Sequence, residues 1–337
     1  MNNLKGYATY NIFFEDNPEK IREINLGEDI FLDYRVDPSY TRWVDKDGGC
    51  IQERMDSPSI KEINDLLKEY DPAYQLIIYA SNESIAQNVS NLIHGGRLLS
   101  YPSVYENINI TSIYNIEYTG FEKVYKKIKF TEDIVFACKV AEKALSNKSL
   151  IYSIEKYRFS LNLDSITPHS ASPRYGQVFS IEDKGYDYHV NAAYSMFSAY
   201  SIIEELGLEI RSSQNNPRFI EGEWNPKVKQ DILSRLNSIG IQEDDTVNWV
   251  IRGEYTKLYE EIKPEMGEKS KFNDEIINFD KELSIVEAIH YASYIRNFFL
   301  GHKFNEVVKY LNAYDVFNFQ MLVRRLILAK LGLWDIK

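Results

Sequence analysis

The stretch Ser284 to Phe304, SIVEAIHYASYIRNFFLGHKF, decides how the second half of the chain is read. Its first four residues, Ser284-Ile285-Val286-Glu287, spell a capping box, in which serine and glutamate satisfy the first orphan amides of a helix. Ile285, Ile289, Ala292 and Phe299 then recur at helical spacing and draw one apolar face. The residue that interrupts this face is Arg296. Desolvating a fixed guanidinium costs roughly several kcal/mol, so it needs a carboxylate partner or a polar groove that receives an anion. Six positions on, His302 follows Gly301, the residue best suited to loosen or end the helix.

Outward from this stretch the pattern is helical. His189 to Leu206 carries two adjacent apolar stripes, Val190-Ala193-Phe197-Tyr200 and Met196-Ala199-Ile203-Leu206, as expected of a helix buried on several sides of a bundle. Gly207 is its C-cap, and Leu208 to Arg211 reads as extended. Asn225-Pro226 caps and opens a helix through Leu236. A further helix is predicted from about Asp244 to Ile262, containing Trp249 and Arg252, followed by a polar stretch from Lys263 to Asn273. Asp315 caps a last helix to about Lys330, with Val316, Phe319, Val323 and Leu326 on one face. Residues 185–337 therefore read as an all-α bundle.

The first 160 residues read as a mixed α/β region, so the fold class expected overall is α+β. Tyr7 to Phe14, Ile30 to Val36, Tyr74 to Tyr79 and Ile108 to Tyr118 have the aromatic and β-branched content of strands. Helices are predicted near Ser59 to Tyr70, Ser84 to His94, Thr131 to Ala144 and Ser149 to Ser160. His94-Gly95-Gly96-Arg97 reads as a turn, since no Lys-Ser/Thr follows and no G-x-G-x-x-G occurs. Asn162 to Tyr188, with Thr167-Pro168, Ser172-Pro173, Gly176 and Gly185, marks the hinge between the two regions.

At 337 residues the chain exceeds one typical domain, and its 44% hydrophobic and 26% charged content is ordinary for a globular protein. No apolar run approaches the ~18 residues of a membrane span. MNNLKGYATY lacks the layout of a signal peptide, so a cytoplasmic location is expected. Cys50 and Cys138, the only cysteines, are too few for a disulfide framework or thiolate zinc site. The net charge of −11 argues against coating nucleic acid by bulk electrostatics. Its distribution is uneven. From Arg296 to Lys337, seven Lys/Arg face three acids, whereas the preceding 295 residues carry 32 basic and 47 acidic groups. This excess also suits the preference of Lys and Arg for helix C-terminal turns.

Arg296-Asn297-Phe298-Phe299-Leu300-Gly301-His302 is R-x5-H with a polar residue directly after the arginine. It resembles the motif of the HEPN superfamily, helical bundles of which many members are metal-independent ribonucleases. The family allows four to six residues between Arg and His, with Asn, Asp or His after the Arg. The resemblance covers about residues 185 to 337. It implies an endoribonuclease with Arg296, Asn297 and His302 as catalytic residues and RNA as substrate. Lys303, beside the motif, is a candidate substrate-binding cation. His302, with an ordinary pKa near ~6.5, suits acid-base work at neutral pH. Arg296 presents a fixed fork matched to phosphate oxygens. On an uninterrupted helix the two lie ~120° apart, an angle Gly301 can relax. One motif supplies one histidine where acid-base cleavage uses two groups. The resemblance implies the remedy, a homodimer whose motifs meet in one groove. It further implies a toxin or phage-defence role, with an antitoxin or sensor partner.

Other chemistries lack their parts. No H-E-x-x-H, paired-cysteine motif or G-x-S-x-G occurs, and no metal or cofactor is expected. Glu204-Glu205, Asp244-Asp245 and Glu260-Glu261 read as solvated helix faces. His169 has no neighbour at metal spacing, and His290 reads as a satisfied structural histidine. Two further functions stay open: a non-catalytic dimerisation or interaction module, and a nucleotide-binding regulator acting through the N-terminal region.

Overall fold

Aromatic and β-branched residues extend the first segment into β1, Lys5–Phe14. The computed structural model describes residues 4–14, 17–36, 42–44, 50–52, 71–72, 74–100, 113–115, 133–163, 186–251, 279–297 and 313–334. The chain forms two units, Met1–Tyr101 with Ile108–Lys148, and Pro102–Asn107 with Ser149–Lys337. In the first, β1 is followed by α1 (Pro18–Arg22), β2 (Phe31–Val36), β3 (Arg42–Val44), β4 (Cys50–Gln52), β5 (Asp71–Pro72), β6 (Tyr74–Ala80), α2 (Glu83–Ser100), β7 (Ile113–Asn115) and α3 (Ile134–Ala144). One antiparallel sheet has the order β2-β6-β1-β7, and a smaller one β4-β3-β5.

β6 is buried along its middle, Gln75 to Ile78 all facing away from solvent. Its register against β1 shifts between Ala8 and Phe13. Buried polar groups close that irregularity: Gln75 donates through Nε2 to the Thr9 carbonyl at 2.8 Å, and Arg35 donates to Gln75 Oε1 at 3.0 Å.

His94-Gly95-Gly96-Arg97, expected to turn, lies inside α2 and is buried. The reason is packing between helices. A Cβ at Gly96 would stand 2.6 Å from the Ala137 carbonyl oxygen and 2.9 Å from Val140 Cβ. Each glycine costs about 1 kcal/mol of helix propensity, which the close approach of α3 offsets. Asp133 caps α3, accepting from the Phe136 amide.

The second unit contains α4 (Lys148–Leu163), α5 (Tyr186–Glu205), β8 (Phe219–Ile220), β9 (Glu223–Trp224), α6 (Pro226–Asn237), β10 (Thr246–Ile251), β11 (Phe279–Ser284), α7 (Ile285–Ile295) and α8 (Ala313–Leu331). α4 and α5 run in opposite directions. Ser149 bonds to the Glu205 carbonyl, Lys156 to that of Ser201, and Ser160 to that of Ser195. Val316, Phe319, Val323 and Leu326 of α8 are buried together, the face their spacing predicts. Asp315 sits in the first turn of α8 rather than ahead of it.

This unit is not purely helical. The helix expected from about residue 244 is strand β10 at residues 246–251, paired antiparallel with β11 from Thr246↔Ser284 to Ile251↔Phe279. Four of its six residues are β-branched, and burial alternates, with Trp249 enclosed between exposed Asn248 and its partner strand. A period of two won over the helical reading. Residues 208–211, expected to be extended, form no strand. The protein is thus an α+β fold in both units, and no helix among the described residues is long and apolar enough to cross a membrane.

Candidate functional site

The capping box that opens α7 is formed in both directions. Ser284 Oγ accepts from the Glu287 amide at 3.3 Å, and Glu287 Oε2 accepts from the Ser284 amide at 3.1 Å. Ser284 therefore ends β11 and starts α7 in one residue, which fixes where the helix points. Ile285, Ile289, Ala292 and Ile295 are buried along it. Arg296 and Asn297 continue the chain in π-helical conformation, and the Arg296 amide is shared between the carbonyls of Ala292 and Ser293. Such wide turns recur at functional sites.

Arg296 is half-buried at the end of this face. Its guanidinium lies over the rings of Phe197 and Tyr200, 5.7 and 5.6 Å from their centroids. Nη1 donates to Asn297 Oδ1 at 2.9 Å, and Nη2 stands 3.4 Å from Glu204 Oε1. Nε is buried without an acceptor among the described residues. The carboxylate the stripe called for therefore exists, but the pair is loose, its side chains 30% and 43% exposed. Such a pair contributes ~0–1 kcal/mol. The Tyr200 hydroxyl is pushed up to about 12, by burial first and by the Glu204 carboxylate next. It is a donor at neutral pH.

A second arginine, which sequence reasoning passed over, stands against the same helix. Arg218 Nη1 donates to His290 Nδ1 and to Ser293 Oγ, each at 2.7 Å. A guanidinium can only donate, so Nδ1 is the acceptor and His290 carries its proton on Nε2. The ring packs edge-on against Phe219 and Trp224, with centroids 5.1 and 5.5 Å away. Burial and then the Arg218 charge push the His290 pKa down to about 3, which makes it neutral across physiological pH. His290 is thus structurally engaged, as its sequence position suggested.

Arg218 owes its position to the β8–β9 hairpin. Glu221 and Gly222 both have positive φ, 50° and 80°, the two-residue turn that matches strand twist. Asn225 donates through its backbone amide to the Arg218 carbonyl and through Nδ2 to Asn216 Oδ1 and the Pro217 carbonyl, while capping α6. Phe219 to Trp224, FIEGEW, was the legible signal: strand-forming residues around Glu-Gly.

Of the other site residues, His302 and Lys303 lie outside the described residues, as do His169 and Glu260-Glu261. The acidic pairs read as solvated faces hold cations in part. Besides Glu204, Glu205 pairs with Lys156 at 2.9 Å, and Asp245 with Arg325 at 3.1 Å. Cys138 is a buried free thiol whose pKa burial raises. Among the described residues no three of His, Cys, Asp and Glu are grouped to hold a metal. No protein-family model, curated protein or solved structure matches this chain.

Proposed function

We propose that the chain is a metal-independent endoribonuclease of HEPN type, with a HEPN-like second domain and Arg296, Asn297 and His302 as its catalytic residues. The observation that carries the reading is Arg296 itself. Its guanidinium is held on two aromatic faces, braced by Asn297, and only loosely neutralised by Glu204. A phosphate oxygen competes well for such a fork, because charge-assisted bidentate bonds exceed a half-exposed ion pair.

In this mechanism His302 removes the proton from a ribose 2′-hydroxyl, whose oxygen attacks the adjacent phosphorus. The bond from phosphorus to the 5′-oxygen breaks as that oxygen gains a proton from a second histidine. A 2′,3′-cyclic phosphate and a 5′-hydroxyl result. Arg296 stabilises the charge on the phosphorane oxygens, Asn297 orients Arg296, and Lys303 holds the strand. The second histidine comes from a second copy of the chain, so the active species is a homodimer. The cytoplasm is its compartment, a toxin or phage-defence effector its role, and an antitoxin or sensor its partner.

Expression of the intact chain in a bacterial host tests the proposal. Cellular RNA should fragment with the parent and stay whole with His302→Ala. Intact RNA under both counts against it. The Arg296–Glu204 pair also favours a second reading, in which the motif arginine knits α7 to α5 in a non-catalytic interaction module.

A further inference from the structure

A partly buried arginine ordinarily has an acid beside it, because a cation removed from water is stabilised chiefly by a counter-charge. Among the described residues Arg218 forms no ion pair, and the groups that take its hydrogen bonds are a neutral imidazole and a hydroxyl. Both Nη1 hydrogens are used there, one on His290 Nδ1 and one on Ser293 Oγ. Neither acceptor is free to turn away: Ser293 Oγ also donates to the His290 carbonyl at 2.9 Å, and the His290 ring packs edge-on against Phe219 and Trp224. The opposite edge, Nε–H and Nη2–H, has no acceptor among the described residues. That edge is the parallel pair of donors that fits two oxygens of a phosphate. His290, protonated on Nε2, adds a neutral donor. The loop that carries Arg218 is fastened on both sides by Asn225, so the fork is organised before anything binds.

We propose that Arg218, aimed by His290 and Ser293, is a phosphate-binding subsite for single-stranded RNA, next along the strand from Arg296. Tyr200 links the two, since both guanidiniums act on its phenol and Arg296 lies on its ring. The identity of the strand rests on the ribonuclease reading, whereas the anion site stands on the geometry of Arg218.

Calorimetric titration of the intact protein with inorganic phosphate, and with a 2′-O-methyl oligonucleotide that cannot be cleaved, tests this. Arg218→Ala and Arg218→Lys should each weaken both titrations about tenfold or more, Lys failing because it keeps the charge but not the fork. Both variants should stay folded at the temperature of the titration, with melting lowered by a few degrees, since each takes the Nη1 donor from His290 Nδ1 and Ser293 Oγ. Parental binding by Arg218→Ala, absence of phosphate binding by the parent, or unfolding of both variants overturns the proposal. If phosphate binding falls in Arg218→Ala while the parent cleaves no RNA, the anion site stands and the ribonuclease falls. If Arg218→Ala binds and cleaves as the parent does, the anion site falls and the ribonuclease stands.

Discussion

His290 and Arg296 are six residues apart on one helix and meet opposite electrostatic fates. The pKa of His290 is lowered from 6.5 to about 3, so the native state refuses a proton that the unfolded chain accepts. Its contribution to stability is complete above 6.5 and is lost as pH falls from there toward 3. The loss runs at up to about 1.4 kcal/mol per pH unit. Between roughly pH 6.5 and 5 most carboxylates are still ionised, so the slope there reports histidine. We predict a melting temperature that declines through this window, and a shallower decline in His290→Asn, whose amide oxygen can replace Nδ1 as acceptor. Equal slopes in the two proteins would remove His290 from the acid response. Arg296 behaves differently because its partner Glu204 is half-exposed. Removing the arginine returns that carboxylate to water rather than stranding it. Arg296→Ala should therefore cost only ~1–2 kcal/mol, the sum of a weak pair and its aromatic contacts. A loss of ~3–5 kcal/mol, measured by denaturant unfolding, would mark a buried structural pair instead.

At the scale of elements, local chemistry was legible at two marked helix starts, whereas Asp315, read as a cap, lies inside α8. The capping box at Ser284 and the Asn225-Pro226 start of α6 both appear as bonds. Ser284→Ala should accordingly cost about 1 kcal/mol of stability, with no shift in the helix end opposite, as followed by chemical denaturation. What escaped the sequence depended on partners distant along the chain. Gly95-Gly96 reads as a turn until α3 presses against it, and β10 reads as a helix until β11, more than twenty residues away, completes its ladder. The arginine fork at Arg218 was hidden for the same reason. Its acceptors lie 72 and 75 residues downstream. Gly96→Ala is the sharpest check on the packing of α2. A Cβ 2.6 Å from backbone oxygen cannot be accommodated by a flexible side chain, so we expect destabilisation of ~1–3 kcal/mol despite alanine's better helix propensity. A more stable Gly96→Ala protein would show that the two helices have room to separate.

At the scale of the molecule, the sequence showed an α+β chain with positive charge gathered after Arg296 against a strongly acidic remainder. Repulsion by that remainder disfavours indiscriminate binding of polyanions. The proposed chemistry also requires two copies, because one motif holds one histidine. Light scattering at micromolar concentration should return twice the 39.4 kDa chain mass. An active monomer would contradict the composite site while sparing the fold. The most direct measurement is cleavage of a single-stranded RNA by purified protein in excess EDTA, with analysis of the new ends. The account predicts cleavage that survives the chelator, leaves a 2′,3′-cyclic phosphate and a 5′-hydroxyl, and disappears in both Arg296→Ala and His302→Ala while each stays folded. Cleavage that needs added Mg²⁺, or that persists undiminished in His302→Ala, would contradict it.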